Sequence, residues 1–125
     1  MFHVGAAPIM AMAAPTRFSS IHPRWLWIAV CGEAALIFWM SHRTWKGATA
    51  RWPSGFGNLM HLVTFGTLAA TILVAGRRSG FDSRASARWA MIGAMSWGLI
   101  DEVHQFFVPG RAASVADLCI DACGA

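Results

Sequence analysis

Residues 101–105 read Asp-Glu-Val-His-Gln and close an apolar run, just ahead of Pro109, Gly110 and Arg111. Carboxylates beside an imidazole can accept hydrogen bonds from amines and hydroxyls, remove a proton as a general base, or hold a metal ion, and a nearby arginine can take an anion. Two further acids, Asp117 and Asp121, follow the turn, and His61 sits inside an earlier apolar run. The candidate functional residues are therefore His61, Asp101, Glu102, His104, Gln105, Arg111, Asp117 and Asp121. The chain contains no Cys-x-x-Cys, His-Glu-x-x-His or Gly-x-Ser-x-Gly pattern, the spacings that commonly mark metal sites and nucleophiles. Asp-Glu-x-His alone is too short to specify a metal, so no catalytic residue, metal ligand or cofactor is assigned.

The solvent in which these residues are positioned follows from composition. Of the 125 residues 56% are hydrophobic and only 13% are charged, against roughly 25% charged in soluble domains. The expected surroundings are a lipid bilayer. The net charge of +4 does not signal nucleic acid, because the basic residues stand in small groups between apolar runs and form no stripe. Three cysteines cannot all pair within one chain; Cys31 reads as a small buried apolar residue, while Cys119 and Cys123 stack four apart on a helix. Residues 1–23 read as a disordered tail, since they lack a basic start and Pro8 breaks their apolar stretch.

Residues 24–125 form the expected transmembrane domain. Its first helix covers about residues 25–41, with tryptophans at both ends and Glu33 in the middle; the second covers about 59–76 and carries no formal charge; the third covers about 89–108. The stretch between the last two, residues 77–88, reads as a polar connection. A partial helix over 114–125 opens on Ser114, with Asp117 three residues on as in a capping box, and it reaches about half of the roughly 17–25 residues that a crossing takes. The expected fold is an all-α integral membrane helical bundle with three transmembrane helices and the start of a fourth. On a helical projection Asp101, His104, Gln105 and Val108 share an arc, with Glu102 at its edge and Val103, Phe106 and Phe107 opposite.

Three antiparallel crossings bring His42, His61, residues 101–105, Arg111, Asp117 and Asp121 toward one membrane face. Arg17, Arg24, Arg77, Arg78, Arg84 and Arg88 fall on the other face, against Arg43, Lys46, Arg51 and Arg111 on this one. The positive-inside rule then places the N-terminus in the cytoplasm and the polar cluster outside.

The run IDEVHQFFVPGRAASVADLCIDACGA closely resembles the signature of VanZ-like membrane proteins: an Asp-Glu-x-His-Gln helix end, a Pro-Gly-Arg turn and an acid-bearing helix that reaches a Gly-Ala pair. HLVTFGTLA is similar to the family's second helix, so the resemblance covers roughly residues 57–125. Gly57 and Asn58 stand where the family often has Asp-Lys, and Phe65 replaces a frequent Tyr. The resemblance implies a small multi-pass protein of the cell membrane and cell envelope, in a family named for teicoplanin resistance, and it implies no particular reaction. Three readings of the polar cluster follow. It binds a polar ligand such as a lipid headgroup, a cell-wall precursor or a glycopeptide; it pins the helices as a satisfied network, with Arg111 bridging Asp101 or Asp117; or, as the minor reading, it is a membrane-embedded enzyme using Asp101, Glu102 and His104.

Overall fold

The computed structural model describes residues 21–43, 53, 55–110 and 114–125. Four helices, α1 (Pro23–His42), α2 (Phe56–Arg78), α3 (Ser83–Phe107) and α4 (Val115–Gly124), account for nearly all of them, and no strand occurs among the described residues. The all-helical class is thus as expected. Among the described residues two helices, α1 and α2, are long and apolar enough to cross a membrane. Of the expected tail over residues 1–23, residues 1–20 lie outside the described residues, and Pro23 already belongs to α1.

Local chemistry sets each helix end. Pro23 occupies the first turn of α1, where its missing N–H costs nothing, and the His22 imidazole accepts from the Arg24 N–H at 3.3 Å. α2 ends in a tight reversal: Gly80 takes φ 93°, the Phe81 N–H donates to the Gly76 carbonyl and the Gly80 N–H to the Arg77 carbonyl. This crossed pair is a Schellman stop, and glycine is the residue that adopts the left-handed position without strain.

α3 starts at Ser83 and not near Trp89, which corrects the expected polar connection over residues 77–88. The Asp82 carboxylate accepts from the Ala85 N–H at 2.8 Å, so the cap switches the chain into helix one residue after the reversal, and the serines, alanines and arginines of 83–88 continue it. At 25 residues, α3 is about 37 Å long.

α2 is central and packs against the other three helices, while α1 and α4 both also meet α3. The core joins Phe65, Leu68, Ala69 and Ile72 of α2 to Ala90 and Ala94 of α3 and Ile37 of α1. At one end of the bundle the Trp27 indole N–H donates to Ser79 Oγ at 2.9 Å, tying the start of α1 to the reversal after α2. The short α4 lies very close to α2: a Cβ at Gly124 would stand 2.5 Å from the Leu62 carbonyl oxygen, so only glycine fits.

The distribution of polarity is inverted relative to a water-soluble bundle. Trp25, Ile28, Leu36, Trp39, Leu59, Val63, Trp89, Ile92, Leu99, Val103, Phe106 and Phe107 face outward, while Ser41, Ser86, Asp101, Glu102, Gln105 and Asp121 are buried. An exterior this apolar suits hydrocarbon better than water. Cys31 belongs to that exterior: it is exposed on α1 and not buried as expected, because that part of α1 packs no neighbour over it.

Replacing Asp82 with Ala is expected to destabilise the bundle by about 1 kcal/mol, the usual worth of an N-cap, while Asp82→Ser, which keeps a capping oxygen, stays near wild type. Thermal unfolding followed by circular dichroism in detergent checks both.

Candidate functional site

The polar side chains converge where α1 and α3 end, α2 begins and α4 packs. Asp101, only 1% exposed, is held from two helices: Ser41 Oγ of α1 donates to Asp101 Oδ2 at 2.7 Å, and Gln105 Nε2, one turn further along α3, donates to the same oxygen at 2.8 Å. The four-residue spacing places Gln105 over Asp101 on one helix face. Beside them, His42 Nδ1 and His104 Nε2 lie 3.2 Å apart, and the Phe38 ring covers His104 with centroids 4.0 Å apart.

A second node joins α2 to α4. His61 Nδ1 lies 2.9 Å from Asp121 Oδ1; the carboxylate is 1% exposed and the imidazole 20%. The His61 ring is stacked nearly parallel to Phe65. Asp121 also presses on α3 at Gly98, where a Cβ would come within 3.2 Å of Asp121 Oδ2 and 3.3 Å of its Cβ. Glycine at 98 lets this carboxylate sit against the helix backbone.

Glu102 forms the third node. Its Oε2 accepts from the Ser114 backbone N–H at 2.7 Å, and Ser114 Oγ in turn accepts from the Asp117 N–H at 3.2 Å. A capping box was expected within 114–117. Ser114 does cap α4, but the acid that reaches its N–H is Glu102 of α3, which ties the start of α4 to α3 by a charge-assisted bond. Asp117 is half-buried and takes part through its backbone.

His61, Glu102 and Asp121 come together more closely still: each offers one ligand atom, and the three atoms lie within 4.8 Å of one another. Among the described residues Asp101 Oδ1, Glu102 Oε1 and Asp121 Oδ2 are buried without a hydrogen-bond partner. Unpaired acceptors of this kind each cost about 1–3 kcal/mol, and more when ionised.

Of the residues singled out from the sequence, His61 and Asp121 meet directly, Asp101 and Gln105 meet directly, and Glu102 stands beside the first pair. His104 pairs with His42 and not with an acid. Arg111, with its expected bridges to Asp101 or Asp117, lies outside the described residues. Ser41 and Gly98 were not anticipated. Gly98 carried a signal, since it precedes Asp101 by three residues and so shares its helical face; Ser41 carried none beyond its place at the end of an apolar run.

The architecture is that of a small helical bundle with an apolar exterior and a carboxylate-rich centre at one end. A family model described as VanZ/LLP1 matches residues 8–125, and the chain belongs to that family. No curated protein and no solved structure matches the chain.

Ser41→Ala removes one of the two donors that Asp101 Oδ2 receives and is expected to cost about 1–3 kcal/mol. Ser41→Thr keeps the hydroxyl and should lose less. Unfolding of both variants in mixed micelles, monitored by loss of helicity, provides the comparison.

Proposed function

We propose that this chain is a multi-pass protein of the cell membrane and envelope, and that its polar cluster binds a polar envelope ligand, an amine- or hydroxyl-bearing lipid headgroup or cell-wall precursor. The observation that carries this reading is the buried Asp101 carboxylate, one oxygen of which lacks a donor among the described residues. Acceptors left open inside a bundle are suited to a ligand that brings donors or positive charge. Asp101, gripped by Ser41 and Gln105 so that one oxygen is spoken for and the other is open, is the acceptor we assign to the ligand. His42, exposed, and His104, half-buried, pair at the same end of α1 and α3.

On this reading the bilayer is crossed three times, through α1, α2 and α3. Support for the third crossing comes from α3 itself, whose acids are buried while Trp89, Met91, Ile92, Met95, Leu99, Ile100 and Val103 are exposed. The bias of Arg77, Arg78, Arg84 and Arg88 toward the opposite end favours a cytoplasmic N-terminus and an outward-facing cluster. An outward site would meet the molecules that glycopeptide antibiotics engage, which links it to the teicoplanin resistance for which the family is named.

A structural reading has its own support, because Asp101 joins α1 to α3 and Glu102 joins α3 to α4. The two differ in what a conservative substitution does. In phosphatidylcholine nanodiscs doped with phosphatidylethanolamine, Asp101→Asn should weaken retention of the aminolipid about tenfold, the worth of one charge-assisted hydrogen bond, with helicity unchanged. Equal retention by wild type and Asp101→Asn would sink the binding reading.

A further inference from the structure

We infer that His61, Glu102 and Asp121 form a binding site for one divalent transition-metal ion, held between α2, α3 and α4. The site lies beside the Asp101 node and uses none of its residues, so it does not need the headgroup reading to be correct.

Three observations converge on it. Donor atoms from three separate helices lie within 4.8 Å of one another. Around a zinc ion with bonds of about 2.0–2.2 Å, neighbouring ligand atoms stand about 3.3–3.6 Å apart, so side-chain rotations of roughly an ångström would close the set. The two carboxylates are deeply buried, Glu102 at 5% and Asp121 at 1%, and each keeps an oxygen with no partner among the described residues. Metal ligation requires the imidazole neutral and the carboxylates deprotonated, and in that state the set carries two negative charges, which one divalent cation cancels.

The backbone is also shaped to bring the donors in. Gly98 leaves room for the Asp121 carboxylate against α3, and the contact of Gly66 with the Gly124 carbonyl lets α4 approach α2. The Ser114 N–H holds Glu102 Oε2, and Phe65 flanks the His61 ring. An oriented carboxylate and a packed imidazole are the outer-shell supports that fix metal ligands. One imidazole among carboxylates suits Zn²⁺ or Mn²⁺ better than Ca²⁺ or Mg²⁺, which prefer oxygen alone. Three protein ligands leave at least one coordination position open, and the partly exposed imidazole gives a route by which the ion enters.

The test uses the full, tag-free chain in detergent with Cys31, Cys119 and Cys123 replaced by serine, because those thiols are free and exposed and would bind metal themselves. The protein is stripped with a chelator, offered Zn²⁺, Mn²⁺, Ca²⁺ or Mg²⁺ singly, desalted, and its bound metal measured by mass spectrometry. About one Zn²⁺ or Mn²⁺ per chain is expected. Asp121→Asn and Glu102→Gln should weaken binding by more than the roughly 10- to 100-fold that loss of an outer-shell partner costs, and Asp101→Asn should bind as before. Should the carboxylate variants fail to accumulate, His61→Cys decides: with Co²⁺ it should show thiolate-to-metal charge-transfer absorption that the parent lacks. Absence of retained metal in the parent, equal retention by Asp121→Asn, preference for Ca²⁺ or Mg²⁺, or a featureless Co²⁺ spectrum in His61→Cys would each overturn the site. Loss of the metal result with aminolipid retention intact would leave the headgroup reading standing.

Discussion

Burying carboxylates inside a bundle whose outer surface is apolar is the constraint on which this structure turns. Asp101, Glu102 and Asp121 are each at most 5% exposed, and in surroundings poor in water an unpaired acid finds no substitute for a hydrogen-bond donor. The helices are arranged accordingly. α1 contributes Ser41 to Asp101, α2 contributes His61 to Asp121, and the residue that caps α4 contributes the Ser114 N–H to Glu102. Each acid is therefore also a link between two helices. Coupling of this kind makes α4, with only 10 residues, an integral part of the bundle, since a helix so short is marginal by itself.

Small residues make the polar centre possible. Gly98 gives Asp121 space against α3, while Gly66 and Gly124 bring α2 and α4 into backbone contact. In lipid, where apolar side chains gain little by leaving the solvent for one another, close backbone approach and hydrogen bonds between helices carry more of the association. The core reflects this: Ala69, Ala90 and Ala94 share it with a few larger residues, Phe65, Leu68 and Ile72.

Much of this was legible in the residues. The projection of 98–108 separates Asp101, Gln105 and Val108, which are buried, from Val103, Phe106 and Phe107, which are exposed, because helical periodicity alone decides sidedness. Apolar runs located α1 and α2. The start of α3 was misread, since the Gly, Ser and Asp residues of 79–83 look like a long turn and only the Asp82 side chain reveals where the helix begins. Partner choice was harder. Asp117 has the capping-box spacing, yet Glu102 takes the Ser114 N–H; sequence spacing describes local competitors and is silent about an acid brought in from another helix. Likewise, His104 lies beside two acids in sequence but faces His42 across the α1–α3 contact.

The claim that polar side chains are sealed inside while apolar ones meet hydrocarbon is tested most directly by a lipid-soluble carbene probe. The probe is photolysed in membranes containing the protein, and its adducts are mapped by mass spectrometry along α3. Insertion at Leu99, Ile100, Val103 and Phe106, with Gly98, Asp101, Glu102 and Gln105 unlabelled, is the predicted pattern. Adducts on the carboxylate stripe, or none anywhere on α3, would contradict it.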